Sequence, residues 1–175
     1  MLAAQGPAGL SLRKLAASTG TSTMAIYTLF GDKQGLLSAM HRTGFARLGS
    51  ALRASIVGRA DPLEALAALG LAYRASALAS PHLYGLMFGP ALPDVVVDRE
   101  VAEAAYAPLV GAVEECLEAR VLTGATAQVI AEQLWAISHG MVSLELARQL
   151  RSPDPATAYT EALVRSVTAY LPTGA

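Results

Sequence analysis

The chain has one cysteine, Cys116. That excludes an intramolecular disulfide framework and gives no support for a thiolate metal cluster. In its setting, "VEECLEAR", the residue reads as a small apolar filler of a helix. Charge is sparse as well: 15% of residues are Asp, Glu, Lys or Arg, against 53% apolar, a balance that argues against disorder. Yet no apolar run reaches the ~18 to 20 residues that a transmembrane helix needs. The start, "MLAAQGPAGLSLRK", lacks a basic segment ahead of an apolar core, so no signal peptide is expected. A cytoplasmic protein with no membrane partner is the simplest expectation. Internal repeats, low-complexity tracts and the alternating β-branched pattern of strands are also missing. At 175 residues the chain makes one or two small domains able to bury a core.

What is there is helix. Ala and Leu dominate, and Gly and Pro fall at intervals that suit helix ends. The pattern predicts a short or incomplete first helix near 1–5, then helices near 11–18, 22–29, 33–57, 62–79, 82–88, 94–105, 107–122, 126–151 and 155–170. The expected fold class is all-α. A net charge of −1 hides a division. Residues 1–60 carry seven Arg or Lys and one acid, Asp32, whereas residues 61–175 carry six basic residues and thirteen acids. Such asymmetry is the footprint expected when one end of a chain meets a polyanion. A solvated basic helix face would give the same numbers.

The stretch "GTSTMAIYTLFGDK" (20–33) separates these readings. At 100° per residue, Ala25, Ile26, Leu29 and Phe30 share one arc, and Thr23, Met24, Tyr27 and Thr28 share the opposite one. Upstream, "SLRKLAAST" can start on Ser11 as N-cap and puts Leu12, Leu15 and Ala16 on one side. Gly20 stands where a left-handed residue would end that helix, and Thr21 or Ser22 can cap the next. Two short helices joined by a turn of three or four residues containing Gly have helix-turn-helix spacing, in which the second helix enters the DNA major groove. Arg13, Lys14 and Lys33 stand near helix starts, where backbone N–H groups and cations suit phosphate oxygens.

The stretch "GLSLRKLAASTGTSTMAIYTLFGDKQGLL" resembles the DNA-binding region of TetR-family transcriptional regulators: a small-residue cap, an Arg and "LA", a Gly-centred turn, then a Tyr, an aromatic and a Lys. Further along, "SPHLYGLMFG" and "LWAISHGMVSLELA" resemble the ligand-binding domain of the subgroup with a Trp-x-x-x-His-Gly signature. The resemblance implies an N-terminal helix-turn-helix domain over 1–52, continued by the helix 33–57, and an antiparallel helical bundle over 53–175 for ligand binding and dimerisation. It implies phosphate contacts from Ser11, Tyr27 and Lys33, and base-edge contacts from Arg13, Thr23 and Met24. Lys14, Ser22 and Thr28 complete the expected double-stranded DNA interface. Leu29 departs from the family pattern, standing where many relatives carry a polar residue, and "MLAAQG" is shorter than the usual first helix.

In 126–151, Ile130, Leu134, Ile137, Met141 and Leu144 form one apolar stripe, and Trp135, Val142 and Leu146 form a second. Two apolar faces need two partners. The resemblance makes the second partner another subunit, with a homodimer formed through 126–151 and 155–170 and a palindromic operator to match; burial of both faces within one subunit is the competing account. His139 has Glu132 and Glu145 in the same segment, but at spacings that do not form a ligand pair, so no metal is expected. Ser143 lies four residues on without a nucleophile-elbow pattern, so no catalytic residue is assigned. Candidates for an effector pocket, by their mixture of apolar and polar groups, are Tyr73, His82, Tyr84, Met87, Phe88, Trp135, Ser138 and His139. No cofactor is indicated. The sequence thus favours a DNA-binding repressor released by a small apolar or amphipathic effector. Its rival is a helical small-molecule or lipid-binding protein whose helix-turn-helix has no DNA role; an enzyme is the distant third.

Overall fold

The computed structural model describes residues 9–90 and 95–172; the helix expected near 1–5 lies outside them. Among the described residues there are eight α-helices and no strand. They are α1 (Leu12–Thr19), α2 (Thr23–Phe30), α3 (Lys33–Ile56), α4 (Pro62–Ala79), α5 (Pro81–Phe88), α6 (Arg99–Glu118), α7 (Ala127–Leu146) and α8 (Pro155–Thr168). The chain forms two compact units, Met1–Arg47 with Ser80–Ala102, and Leu48–Ala79 with Glu103–Ala175.

In the first unit, Leu10, Leu12, Ala16, Ile26, Leu36, Leu37 and Leu86 make the core, with Leu15, Phe30, Met40, Leu83 and Val95 packed against it. The short helix α5 lies directly on α3. A Cβ added at Gly44 would stand 2.5 Å from Met87 Sδ, so only glycine admits this approach without a shift of the methionine. An aromatic run continues the contact: His41 to Phe45 at 4.9 Å between ring centroids, Phe45 to Phe88 at 5.2 Å, and Phe88 to Tyr84 at 4.8 Å.

The second unit is built around α4, α6, α7 and α8. Its fully buried side chains include Val113, Cys116, Leu122, Ile130, Val142 and Tyr159. Tyr159 donates its hydroxyl to the Gly70 carbonyl at 2.7 Å, which ties α8 to α4. Burial pushes the Cys116 thiol up to about 11, so it is a protonated filler at neutral pH.

Two boundaries depart from the sequence pattern. The helices expected at 94–105 and 107–122 are one helix, α6, with Pro108 inside it. A proline there removes the N–H that would bond the carbonyl four residues back. That carbonyl, Ala104 O, instead accepts from Arg53 Nη1 at 3.4 Å. Gly49 eases the close approach, since an added Cβ would be 3.1 Å from Ala105 Cα, tighter than ordinary contact. The helix expected to run to 151 stops at Leu146, where Arg148 takes a left-handed φ of 55° and Gln149 N–H bonds back to the Leu144 carbonyl. Such a bond satisfies a carbonyl of the last turn, as helix-ending motifs do.

Candidate nucleic-acid interface and effector region

The sequence chemistry of residues 11–33 produces its geometry step by step. Ser11 is extended and its side chain accepts from Lys14 N–H at 3.4 Å, starting α1. Gly20, at φ 67°, ends that helix in the left-handed region that costs glycine nothing. Its N–H and that of Thr21 both reach the Ala16 carbonyl. Ser22 then caps α2, its hydroxyl oxygen accepting from Ala25 N–H at 3.1 Å. Three residues, Gly20 to Ser22, therefore join the two helices. Gly31, at φ 75°, closes α2, and Asp32 Oδ1 accepts from Gly35 N–H at 2.7 Å at the start of α3. Each turn is fixed by a local hydrogen bond, so the relative placement of α1 and α2 is encoded within about twenty residues.

The outward face of α2 carries Met24, 74% exposed, and Tyr27, 49% exposed, with Thr28 beside them. Thr23 is half-buried. Thr28 donates its hydroxyl to the Met24 carbonyl at 3.0 Å, so toward a partner it offers only lone pairs. Arg13 and Lys14 are exposed on α1, and Ser22 is exposed at the α2 cap. Ser11 and Lys33 are half-buried at the starts of α1 and α3. A thioether, a phenol, hydroxyls and cations thus flank the N-terminal half of one short helix. These are groups that can meet base edges, a thymine methyl and phosphates.

Leu29 corrects the expected buried arc: it is 73% exposed, whereas Ile26 is 5% exposed. The core contacts of α2 come from Ile26 and Phe30, and Leu29 lies about 80° round the helix from that pair. It forms the rim of a cleft of about 320 Å³ with Phe30, Ser38, Arg42, Val96 and Asp98. One wall is fixed by Val96 N–H, which donates to Ser38 Oγ at 2.9 Å.

The expected effector residues fall into two groups. Met87 and Phe88 pack α5 onto α3 in the first unit, Tyr84 is buried against Phe88, and His82 is exposed there. Nearby His41 is buried with its Nδ1 unpartnered. Desolvation holds its pKa below the usual histidine value, against a hydrogen bond to the Met87 backbone and the Asp98 charge. In the second unit, Tyr73 hydroxyl and His139 Nδ1 are 3.2 Å apart, and His139 Nε2 lies 3.5 Å from Ser143 Oγ. Trp135 sits between the His139 and Tyr106 rings, at 6.0 and 5.9 Å. Burial lowers the His139 pKa, so the neutral ring is the form this cluster holds. Among the described residues no group of three His, Cys, Asp or Glu could hold a metal ion, and no helix is long and apolar enough to cross a membrane.

Helix α7 has two apolar faces, but not the two stripes of the sequence pattern. Ile130, Ala131, Leu134, Ser138 and Val142 are buried, whereas Val129, Ala136, Ile137 and Leu144 are exposed. The centres of these faces lie about 140° apart at helical spacing. Hydrophobicity alone groups Ile137 and Leu144 with Ile130 and Leu134 in one stripe; the small residues Ala131 and Ser138 mark the inner face.

Features that sequence reasoning missed lie in the second unit. Arg74 Nε and Nη2 bind the two Glu145 carboxylate oxygens at 2.8 and 2.5 Å, joining α4 to α7, and the guanidinium sits 5.9 Å from the Tyr159 ring centroid. A lone charge in each of two apolar segments, "LAYRASAL" and "SLELA", was the available signal. The second is a groove of about 280 Å³ between α4 and α8, floored by Leu109, Leu134 and Ser138. Of the expected effector residues, only Ser138 lines it.

A capped helix pair with an exposed second helix, on a chain whose other unit is a separate helical bundle, defines a helix-turn-helix protein. Residues 1–40 match the family described as bacterial regulatory proteins, tetR family, and residues 66–167 match the tetracyclin repressor-like C-terminal domain. The chain belongs to the TetR family, whose members are DNA-binding transcriptional regulators. Among solved structures, a protein of unknown function from Rhodococcus sp. RHA1 is 30% identical over 98% of this chain and 90% of its own, with a TM-score of 0.84. The TetR family transcriptional regulator PfmR from Thermus thermophilus shares the fold at 18% identity, covering 94% and 90%, with a TM-score of 0.70. A TetR family regulator from Marinobacter aquaeolei does so at 19% identity, covering 98% and 90%, with a TM-score of 0.73. No curated protein matches the chain.

Proposed function

We propose that the protein is a homodimeric repressor that binds a palindromic operator through α1 and α2 and is released by a small apolar or amphipathic effector. The observation that carries the DNA reading is the outward face of α2, where Met24 and Tyr27 stand exposed beside the capped N-terminus. Ser11, Tyr27 and Lys33 would hold phosphates; Arg13, Thr23 and Met24 would reach base edges; Lys14, Ser22 and Thr28 would flank them. Acting on DNA, the protein works in the cytoplasm. Residues 1–52 carry DNA recognition, and residues 53–175 carry effector binding and dimerisation. The exposed apolar face of α7, together with α8, supports the dimer, because such a face is costly to leave in water. Trp135, His139 and Gly140 support a place in the Trp-x-x-x-His-Gly subgroup.

Effector binding would favour one separation of the two recognition helices and weaken operator binding, a coupling of typically ~1 to 3 kcal/mol. The test is retardation of DNA from the protein's own promoter region at low salt. Substituting Thr23 or Met24 is expected to change the sequence preferred, whereas Arg13 and Lys33 test base-edge and phosphate contact respectively. Failure to retard any such fragment, with ligand-dependent stabilisation intact, would establish the rival small-molecule-binding protein instead.

A further inference from the structure

The groove between α4 and α8 is lined almost entirely by apolar side chains. Its walls and floor include Leu66, Leu109, Leu134 and Leu163, and none of its lining residues is charged. Three hydroxyls line it, those of Ser138, Thr160 and Thr168. Each donates its hydrogen back to its own helix: Ser138 to the Leu134 carbonyl at 2.8 Å, Thr160 to Ala156 at 3.1 Å, and Thr168 to Val164 at 2.7 Å. What these hydroxyls present to an occupant is therefore lone pairs. They can accept from an alcohol O–H but give nothing to a carboxylate or phosphate, whose desolvation would go uncompensated.

We infer that this groove is a binding site for a neutral, elongated hydrophobe, such as a medium-chain alcohol, and that it discriminates against the corresponding acid. Its volume, about 280 Å³, falls just below the ~300 Å³ at which small-molecule pockets begin. A second copy of the chain is the other candidate occupant. It has a different surface available, since Val129, Ile137 and Leu144 are exposed on the α7 face turned away from Leu134 and Ser138. The binding stands by itself; its regulatory consequence rests on the repressor reading above.

The experiment is displacement of the neutral dye N-phenyl-1-naphthylamine from the full chain, without DNA, by 1-decanol and by decanoate at pH 8. Decanol is expected to displace the dye at a concentration at least ten-fold below that of decanoate. Two variants at exposed lining positions, Ala67 and Thr160, assign the effect to the groove. Ala67→Trp fills it and is expected to weaken dye and decanol binding at least ten-fold. Thr160→Lys supplies a cation and is expected to improve decanoate about ten-fold. Absence of dye binding, equal potency of acid and alcohol, or indifference to both substitutions overturns the proposal. So does dye binding that falls as protein concentration rises while Ala67→Trp changes the oligomeric state, which would assign the groove to a second copy. A parallel DNA-binding assay keeps the two readings apart. Groove binding without DNA binding sinks the repressor alone, whereas DNA binding with an unoccupied groove sinks this inference alone.

Discussion

Replacing Arg74 by Met removes the ion pair with Glu145 but keeps most of the apolar stem. The side chains of Arg74 and Glu145 are 21% and 13% exposed, so the pair lies between the surface and interior limits. Breaking a fully buried pair costs ~3 to 5 kcal/mol, while exposed pairs are worth ~0.2 to 1 kcal/mol. The bidentate geometry and the low exposure put Arg74→Met at about 2 to 3 kcal/mol, since Glu145 is left as an uncompensated carboxylate. Glu145→Gln is expected to cost less, about 1 to 2 kcal/mol, because the guanidinium keeps an acceptor and its place near Tyr159. The double change Arg74→Met with Glu145→Leu removes both charges and is expected to cost about 1 kcal/mol, well below the single Arg74 change. Urea unfolding at fixed protein concentration, with unchanged slope, measures all of these. A double variant no more stable than Arg74→Met would refute the claim that an orphaned Glu145 carries the penalty.

Three further outcomes follow from the same structure. Leu29→Ala is expected to change unfolding free energy by less than ~0.5 kcal/mol, whereas Ile26→Ala is expected to cost ~2 kcal/mol or more; equal losses would return Leu29 to the core. Burial holds the folded-state pKa of His41 and of His139 below the unfolded value of about 6.5. Below that value the unfolded state binds more protons, so stability is full above about pH 6.5 and falls as pH drops toward the folded pKa values. The urea midpoint should therefore be lower at pH 5.5 than at pH 7.5, with part of the difference lost in His139→Gln; a flat profile would contradict this. Cys116, fully buried with its thiol pushed up to about 11, should resist an aromatic disulfide reagent at pH 8 until urea unfolds the chain, and rapid labelling of the native protein would disprove that burial.

The parts of the fold set by neighbouring residues were legible in the sequence. Ser11 and Gly20 announce the cap and end of α1, and of Thr21 and Ser22, either of which could cap α2, Ser22 does so. What depends on distant residues was not legible. Periodicity placed Leu29 inside because it counts apolar side chains but cannot say which neighbours cover them. The same blindness put Ile137 and Leu144 with Ile130, although Ala131 and Ser138 mark the face that is packed. The break expected between 94–105 and 107–122 is absent, and the bond that Pro108 cannot make to Ala104 is replaced by one from Arg53, some fifty positions earlier. The groove joins residues 63–71 to residues 160–171, a pairing that only the tertiary fold makes. Its selectivity rests on where three hydroxyl hydrogens point, which no residue-type pattern encodes.

The central claim is that α1 and α2 form a working DNA interface. It is tested most directly by fluorescence anisotropy of a labelled promoter fragment titrated with the full chain across a range of salt concentrations. The account predicts that log K falls linearly with log salt, that Lys33→Ala lowers the slope by about one, and that Met24→Ala changes which sequence is preferred. No binding even at low salt, or a slope and preference untouched by these substitutions, would contradict it.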